Sequence, residues 1–227
     1  MTQPSLQNCG LDNPSFGDLF LERGVAQSAL NALREGLQLQ FVGDSEILVD
    51  GLLGRACCKE PQLQRPLRMA HTALQTLLQC FSVRPPRAKE FAEQVPRADN
   101  SAADAAANWA LDNGSFVEIR LQVVTAFINC LGSSGTQGLC LMFAFDGAAR
   151  GNPGPASYGM CAWWGRFQEG AFVSEGLLIQ KGSRLGTNTN NCAEALGLAS
   201  AVKTSLRYLF WVAEQLSRLA LHPMTRE

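Results

Sequence analysis

Apolar side chains recur at three-to-four spacing over residues 18–37, where Leu21, Val25, Ala29, Ala32, Leu33 and Leu37 share one side of a helix. LQLQFVGD (37–44) then alternates and ends in a Gly-Asp turn, which predicts a strand, and Ser45 stands where it can cap a short helix over EILVDGLL. A second helical stripe, with Leu63, Leu67, Ala70, Leu74, Leu77 and Leu78, covers about 62–81 and stops before Pro85-Pro86. AKEFAEQVP predicts a short strand, and Asn100 caps an alanine-rich helix reaching about Leu111. Asn113-Gly114-Ser115 marks a boundary; residues 116–131 are apolar without a clear period, and GSSGTQG (132–138) reads as a flexible connector. LCLMFAFD (139–146) is apolar on both faces, as a central strand covered on each side should be. Turn chemistry at Gly151-Asn152-Pro153-Gly154 introduces a meander through YGMCAWWG and AFVSEGLLIQ. A helix from about Asn191 then runs through LRYLFWVAEQLSRL into a polar tail.

This alternation of strands and helices predicts an α/β chain, and its 227 residues are enough for a proper core. With a net charge of −1, the chain does not coat nucleic acid by bulk electrostatics, although a local basic groove is compatible with that total. No apolar run reaches the ~18–20 residues that span a bilayer, and the first residues carry no secretory pattern, so the expectation is an intracellular protein, cytoplasmic or nuclear, with no membrane partner. The eight cysteines include no C-x-x-C; Cys57 and Cys58 are adjacent and point apart, so reduced, mostly buried thiols are expected.

Four segments carry candidate chemistry: FDGAARGNPG, TNNCAE, VGDSE and VPRADNSAADAAAN. Each acid within them, taken alone, is also explained as a cap or a solvated charge. Likewise GNPG is also explained as a plain turn, and TNTNN as a helix cap. Together, residue types and offsets resemble the type 1 ribonuclease H family, and with their flanks they cover most of 18–111 and 140–207. The family's order is permuted here. Residues 18–113 resemble the C-terminal half of a unit, from helix A to the last helix. Residues 114–139 form a linker, and 140–210 resemble the N-terminal half, with the first three strands and helix A. Residues 211–227 are a helical extension and tail. ERGVAQSAL from Glu22 aligns with EALGLASAV from Glu194, so helix A is present twice; only Glu194 has the TNN lead-in.

The resemblance implies a mixed five-stranded sheet with flanking helices. It also implies that Asp146, Glu194, Asp44 and Asp104 are both the catalytic residues and the metal ligands. Carboxylates so grouped repel one another and suit hard cations, two Mg²⁺ or Mn²⁺ ions per site. Gly151, Asn152, Thr189, Asn190 and Asn191 would hold the substrate, an RNA–DNA hybrid whose RNA strand is cut. Neither half has all the acids, so the halves close within one chain or by exchange between two chains of a domain-swapped homodimer. The chain departs from the family in three respects. FAEQVPRADN lacks the histidine that many members place before the last aspartate, the basic handle is missing, and no Gly-Asp-Ser follows Arg207. His71 reads as structural, and His222 lies in the tail. Two other readings therefore stand beside the endonuclease: a non-catalytic nucleic-acid-binding remnant of a tandem or retroelement-derived gene, and a truncated product that does not fold.

Overall fold

A strand apolar on both faces needs cover on both, and β4 (Leu139–Ala149) receives it. The computed structural model describes residues 23–56, 58–86, 89–134 and 138–221. Its first half comprises α1 (Arg23–Gly36), β1 (Gln38–Gly43), α2 (Glu46–Leu53), α3 (Pro61–Cys80), β2 (Ala92–Gln94) and α4 (Ser101–Asn113). After β3 (Phe116–Ile119) and α5 (Leu121–Ser134) come β4, β5 (Gly154–Gln168), β6 (Ala171–Asn188) and α6 (Asn190–Leu221).

The result is an α/β fold around a six-stranded mixed sheet in the order β2-β1-β4-β5-β6-β3. β1 runs parallel to both β2 and β4, while β4, β5, β6 and β3 pair antiparallel. In the β1–β4 register Gln38 faces Cys140 and Val42 faces Ala144, so the two halves of the sequence join in one sheet within a single chain.

Side-chain parity sorts the acids. Residues two apart on a strand share a face. Val42 and Ala144 pack with Ala103 of α4, and Ala148 packs with Ala107 and Leu111 of the same helix. Leu39, Phe41, Leu141, Phe143 and Phe145 point to the other face, into the main core with α1, α3, α5 and α6. On the α4 face the approach is tight. A Cβ on Gly159 would lie 2.3 Å from both the Ala103 carbonyl oxygen and the Ala107 nitrogen, so only glycine lets β5 meet the backbone of α4.

Several expectations are corrected. The sheet has six strands rather than five, because Phe116–Ile119 pairs with β6 at the outer edge. The stretch 114–139, expected to be a linker, holds β3 and α5, whose Val124, Phe127 and Ile128 are fully buried. The buried positions of α5 keep three-to-four spacing, but apolar residues on its exposed side, such as Leu121, hid the period in the sequence. β4 continues three residues beyond Asp146, which therefore sits inside the strand. α6 is one helix through Leu221, with Leu209, Val212 and Leu216 buried, as the reading of LRYLFWVAEQLSRL as its continuation expects. Helix α1 packs on α5 and α6. Glu22, like His222, lies outside the described residues.

Gly159→Val is expected to cost ~1–3 kcal/mol or more, lowering the melting temperature by roughly 5–10 °C. An unchanged thermal melt would mean that α4 does not sit on β5. Because the sheet closes within one chain, the melting temperature is also expected to be independent of protein concentration; a rise with concentration would point to closure between chains.

Candidate functional site

β1 ends at Gly43 with Asp44 next in the chain, two residues past Val42, the partner of Ala144; Asp146 is two residues past Ala144 on β4. Asp146 shares the face of Ala144 and so faces α4, whose first turn carries Asp104. Glu194 arrives from the opposite face, at the start of α6. A Cβ on Gly147 would sit 2.3 Å from the Glu194 nitrogen, so glycine after Asp146 is what allows α6 to close on β4. Glu194 is the fifth residue of α6, just past the first turn in which it was expected. Asp44, Asp104 and Glu194 are half-buried, and Asp146 is only 3% exposed.

The electrostatics show that the four acids share one neighbourhood. Burial, and then the charges of Asp44, Asp104 and Glu194, push the Asp146 carboxyl up to about 7, against one stabilising hydrogen bond from the Gly147 N–H at 2.7 Å. The other oxygen of Asp146, Oδ2, is buried without a hydrogen-bond partner. Burial also raises Glu194; hydrogen bonds from Ser45 and from Asn190 Nδ2 (2.6 Å to Oε1) and the charge of Arg97 oppose that shift, while the charge of Asp44 adds to it. Arg97 donates to Asp104 at 3.1 Å, and its own pKa is raised first by that bond, then by the charges of Asp104, Asp146 and Asp44. Asn108 Nδ2 donates to the second oxygen of Asp104 at 3.1 Å.

The chemistry of this donor set fits a hard divalent cation: all donors are oxygens, and one buried carboxylate oxygen has no partner. Among the described residues, however, no three His, Cys, Asp or Glu side chains converge closely enough to hold a metal as they stand. The side chains account for this, since Asp104 turns to Arg97 and Asn108 while Glu194 turns to Asn190 and Ser45. These two acids engage side-chain donors rather than another carboxylate.

The proposed substrate residues lie beside this cluster. Gly151 (φ 92°) and Asn152 are exposed in the turn between β4 and β5. Asn152 Oδ1 accepts a hydrogen bond from the Asn190 N–H at 3.4 Å, which ties that turn to the start of α6. Thr189 caps α6 by accepting from the Cys192 N–H at 3.3 Å, and Asn191 is exposed next to it. The turn and the cap are both real, and they adjoin.

Three side chains have roles that the sequence did not reveal. Asn100 precedes α4 but makes no capping bond; its Nδ2 donates to the Phe145 carbonyl at 3.0 Å, fixing α4 against β4 next to Asp146. Ser45 stands at the N-cap of α2 without capping it, and its hydroxyl serves Glu194 instead. Arg97 was legible only as a cation seven residues before Asp104. His71 has the structural role expected of it: its Nε2–H donates to the Gly51 carbonyl at 2.8 Å. Neither the known protein families nor the curated proteins contain a match to this chain.

The raised Asp146 pKa fixes the sign of a stability effect. An acid whose pKa is higher folded than unfolded costs stability as pH climbs from ~4, and the cost is complete above about 7. In metal-free buffer Asp146→Asn is therefore expected to stabilise the protein at pH ~8, on the order of 2 kcal/mol, with little effect near pH ~4. Equal melting temperatures of the two proteins at both pH values would refute a buried, charge-crowded Asp146.

Proposed function

We propose that this chain is an endonuclease of the type 1 ribonuclease H kind, in permuted order, that hydrolyses the RNA strand of RNA–DNA hybrids. The single observation that carries the reading is the buried, unpartnered Oδ2 of Asp146, on whose carboxyl the charges of Asp44, Asp104 and Glu194 all act. Connectivity supports it. β4, β5, β6 and α6 correspond to the first three strands and helix A, and β1 through α4 to the remainder. Glu194, whose TNN lead-in is intact, supplies the helix A glutamate.

In this reading Asp146, Asp44, Glu194 and Asp104 hold two divalent ions, Mg²⁺ or Mn²⁺. When bound, such ions lower the pKa of water and offset charge on the leaving oxygen. The protein's own part is orientation. The Gly147 N–H fixes one oxygen of Asp146 and leaves the other open, while Ser45 and Asn190 aim Glu194. Asn100 anchors the helix that bears Asp104. Gly151 lets a nucleic-acid backbone come close, and Asn152, Thr189, Asn190 and Asn191 present hydrogen-bonding groups to sugars, base edges and phosphate.

The Arg97–Asp104 ion pair favours a second reading, a nucleic-acid-binding protein without catalysis, because a side-chain cation already offsets part of the acid cluster. Metal dependence separates the two. Purified protein is expected to cut the RNA strand of a hybrid only with Mg²⁺ or Mn²⁺, leaving 3′-hydroxyl and 5′-phosphate ends. Asp146→Asn and Glu194→Gln are each expected to lower the rate by about 10²–10³ or more while leaving hybrid binding intact. Binding without metal-dependent cutting would establish the second reading.

A further inference from the structure

A groove of roughly 530 Å³ runs between α3 and α6, and its charge is one-sided. Arg65 and Arg68 line it from α3, Lys203 and Arg207 from α6, and no carboxylate is among its lining residues. Several cations elsewhere are offset by a carboxylate: Arg55 pairs with Asp50 and Glu90, Lys89 with Glu93, Arg120 with Glu118, Arg150 with Asp112, and Arg218 with Glu214. Among the described residues, no salt bridge engages Arg65, Arg68 or Lys203. In a chain of net charge −1, this is a local concentration of positive charge that an anion would relieve.

The shape narrows the choice of anion. Arg65, Arg68, Thr72 and Thr76 fall three or four residues apart, one continuous row along a helix. At ~1.5 Å rise per residue that row is about 16 Å long, the length of about five nucleotide steps at ~3.4 Å each. Thr72 adds an exposed hydroxyl just beyond the two arginines, a group that phosphate oxygens accept from, whereas the Thr76 hydroxyl donates to the Thr72 carbonyl at 2.9 Å. The groove also starts beside the candidate site. Cys192 Sγ approaches the Gln62 carbonyl at 3.9 Å, so the first turns of α3 and α6 lie together, with Arg65 one turn from Gln62 and Glu194 two residues from Cys192.

We infer that the α3–α6 groove is a phosphodiester track that holds the nucleic-acid backbone extending away from the acid cluster. It depends on the nuclease reading only for the kind of polyanion: a strand passing Glu194 continues between Arg65 and Lys203, and on toward Arg207. Because nothing base-specific lines the groove, the contact is sequence-independent and its strength depends on salt.

The test is fluorescence anisotropy of labelled hybrids, about 20 and about 6 base pairs long, titrated with full-length protein in EDTA over a range of salt. The Arg65→Gln/Arg68→Gln/Lys203→Gln variant is expected to bind the long hybrid at least about tenfold more weakly, with a log–log salt slope shallower by about 2. The loss for the short hybrid should be smaller. If that variant melts abnormally, Thr72→Glu places an anion at an exposed position in the groove and should weaken long-hybrid binding in the same way. Unchanged affinity and slope in a folded variant overturn the inference, as does preferential retention on phosphatidylserine vesicles. Cutting is measured separately with Mg²⁺: groove-dependent binding without cutting keeps the track and removes the nuclease.

Discussion

The parallel pairing of β1 with β4 is the contact on which everything else rests. It joins segments far apart in the chain, which makes it costly to form, although closure entropy grows only slowly with loop length. Burial provides the compensation: Leu39, Phe41, Leu141, Phe143 and Phe145 are all essentially inaccessible to water. The same pairing brings Asp44 near enough to act on Asp146, and a slip of one residue in β4 would send Asp146 to the opposite face. Fold and site are thus fixed by one set of hydrogen bonds.

What the pairing brings together is unfavourable in itself. A carboxylate 3% exposed, near three others, is held in its charged form by little more than one backbone N–H. The surroundings contain the damage through Arg97, Asn108, Asn190 and Ser45, each engaging an acid other than Asp146. A structural ion pair would have been buried with its partner; here the partner oxygen is left open. Electrostatic strain of this kind has to be offset by the well-packed core elsewhere.

The helices α1 and α3, each with one wet face, were legible from their periodicity, and β1 and β4, buried on both faces, from short apolar runs bounded by turn residues. The acids were legible from the motifs around them. β3 and α5 were not legible: buried Val124, Phe127, Ile128 and Leu131 are separated by residues whose polarity does not report exposure. Side-chain direction was equally hidden. Asn100 and Ser45 occupy cap positions, yet tertiary partners, the Phe145 carbonyl and Glu194, outcompete the local amide groups for their hydrogen bonds. Arg97 escaped notice because its role exists only once the acids it neutralises have converged.

The order of the pieces explains the added elements. α4 ends on one face of the sheet, while β4 must begin at its centre, so the chain needs a route around the edge. β3 provides it by pairing outside β6, with Phe116 stacked edge-on against Trp109 of α4 at 4.6 Å. α5 then crosses the opposite face and packs Phe127 between Trp164 and Tyr208 before the chain enters β4. That crossing creates apolar surface on α5 and on the far half of α6, and α1 covers both. Helix α1 is therefore not idle. With Ala26, Ala29, Leu30 and Leu33 buried against that surface, it closes the core that the connection through β3 and α5 opens.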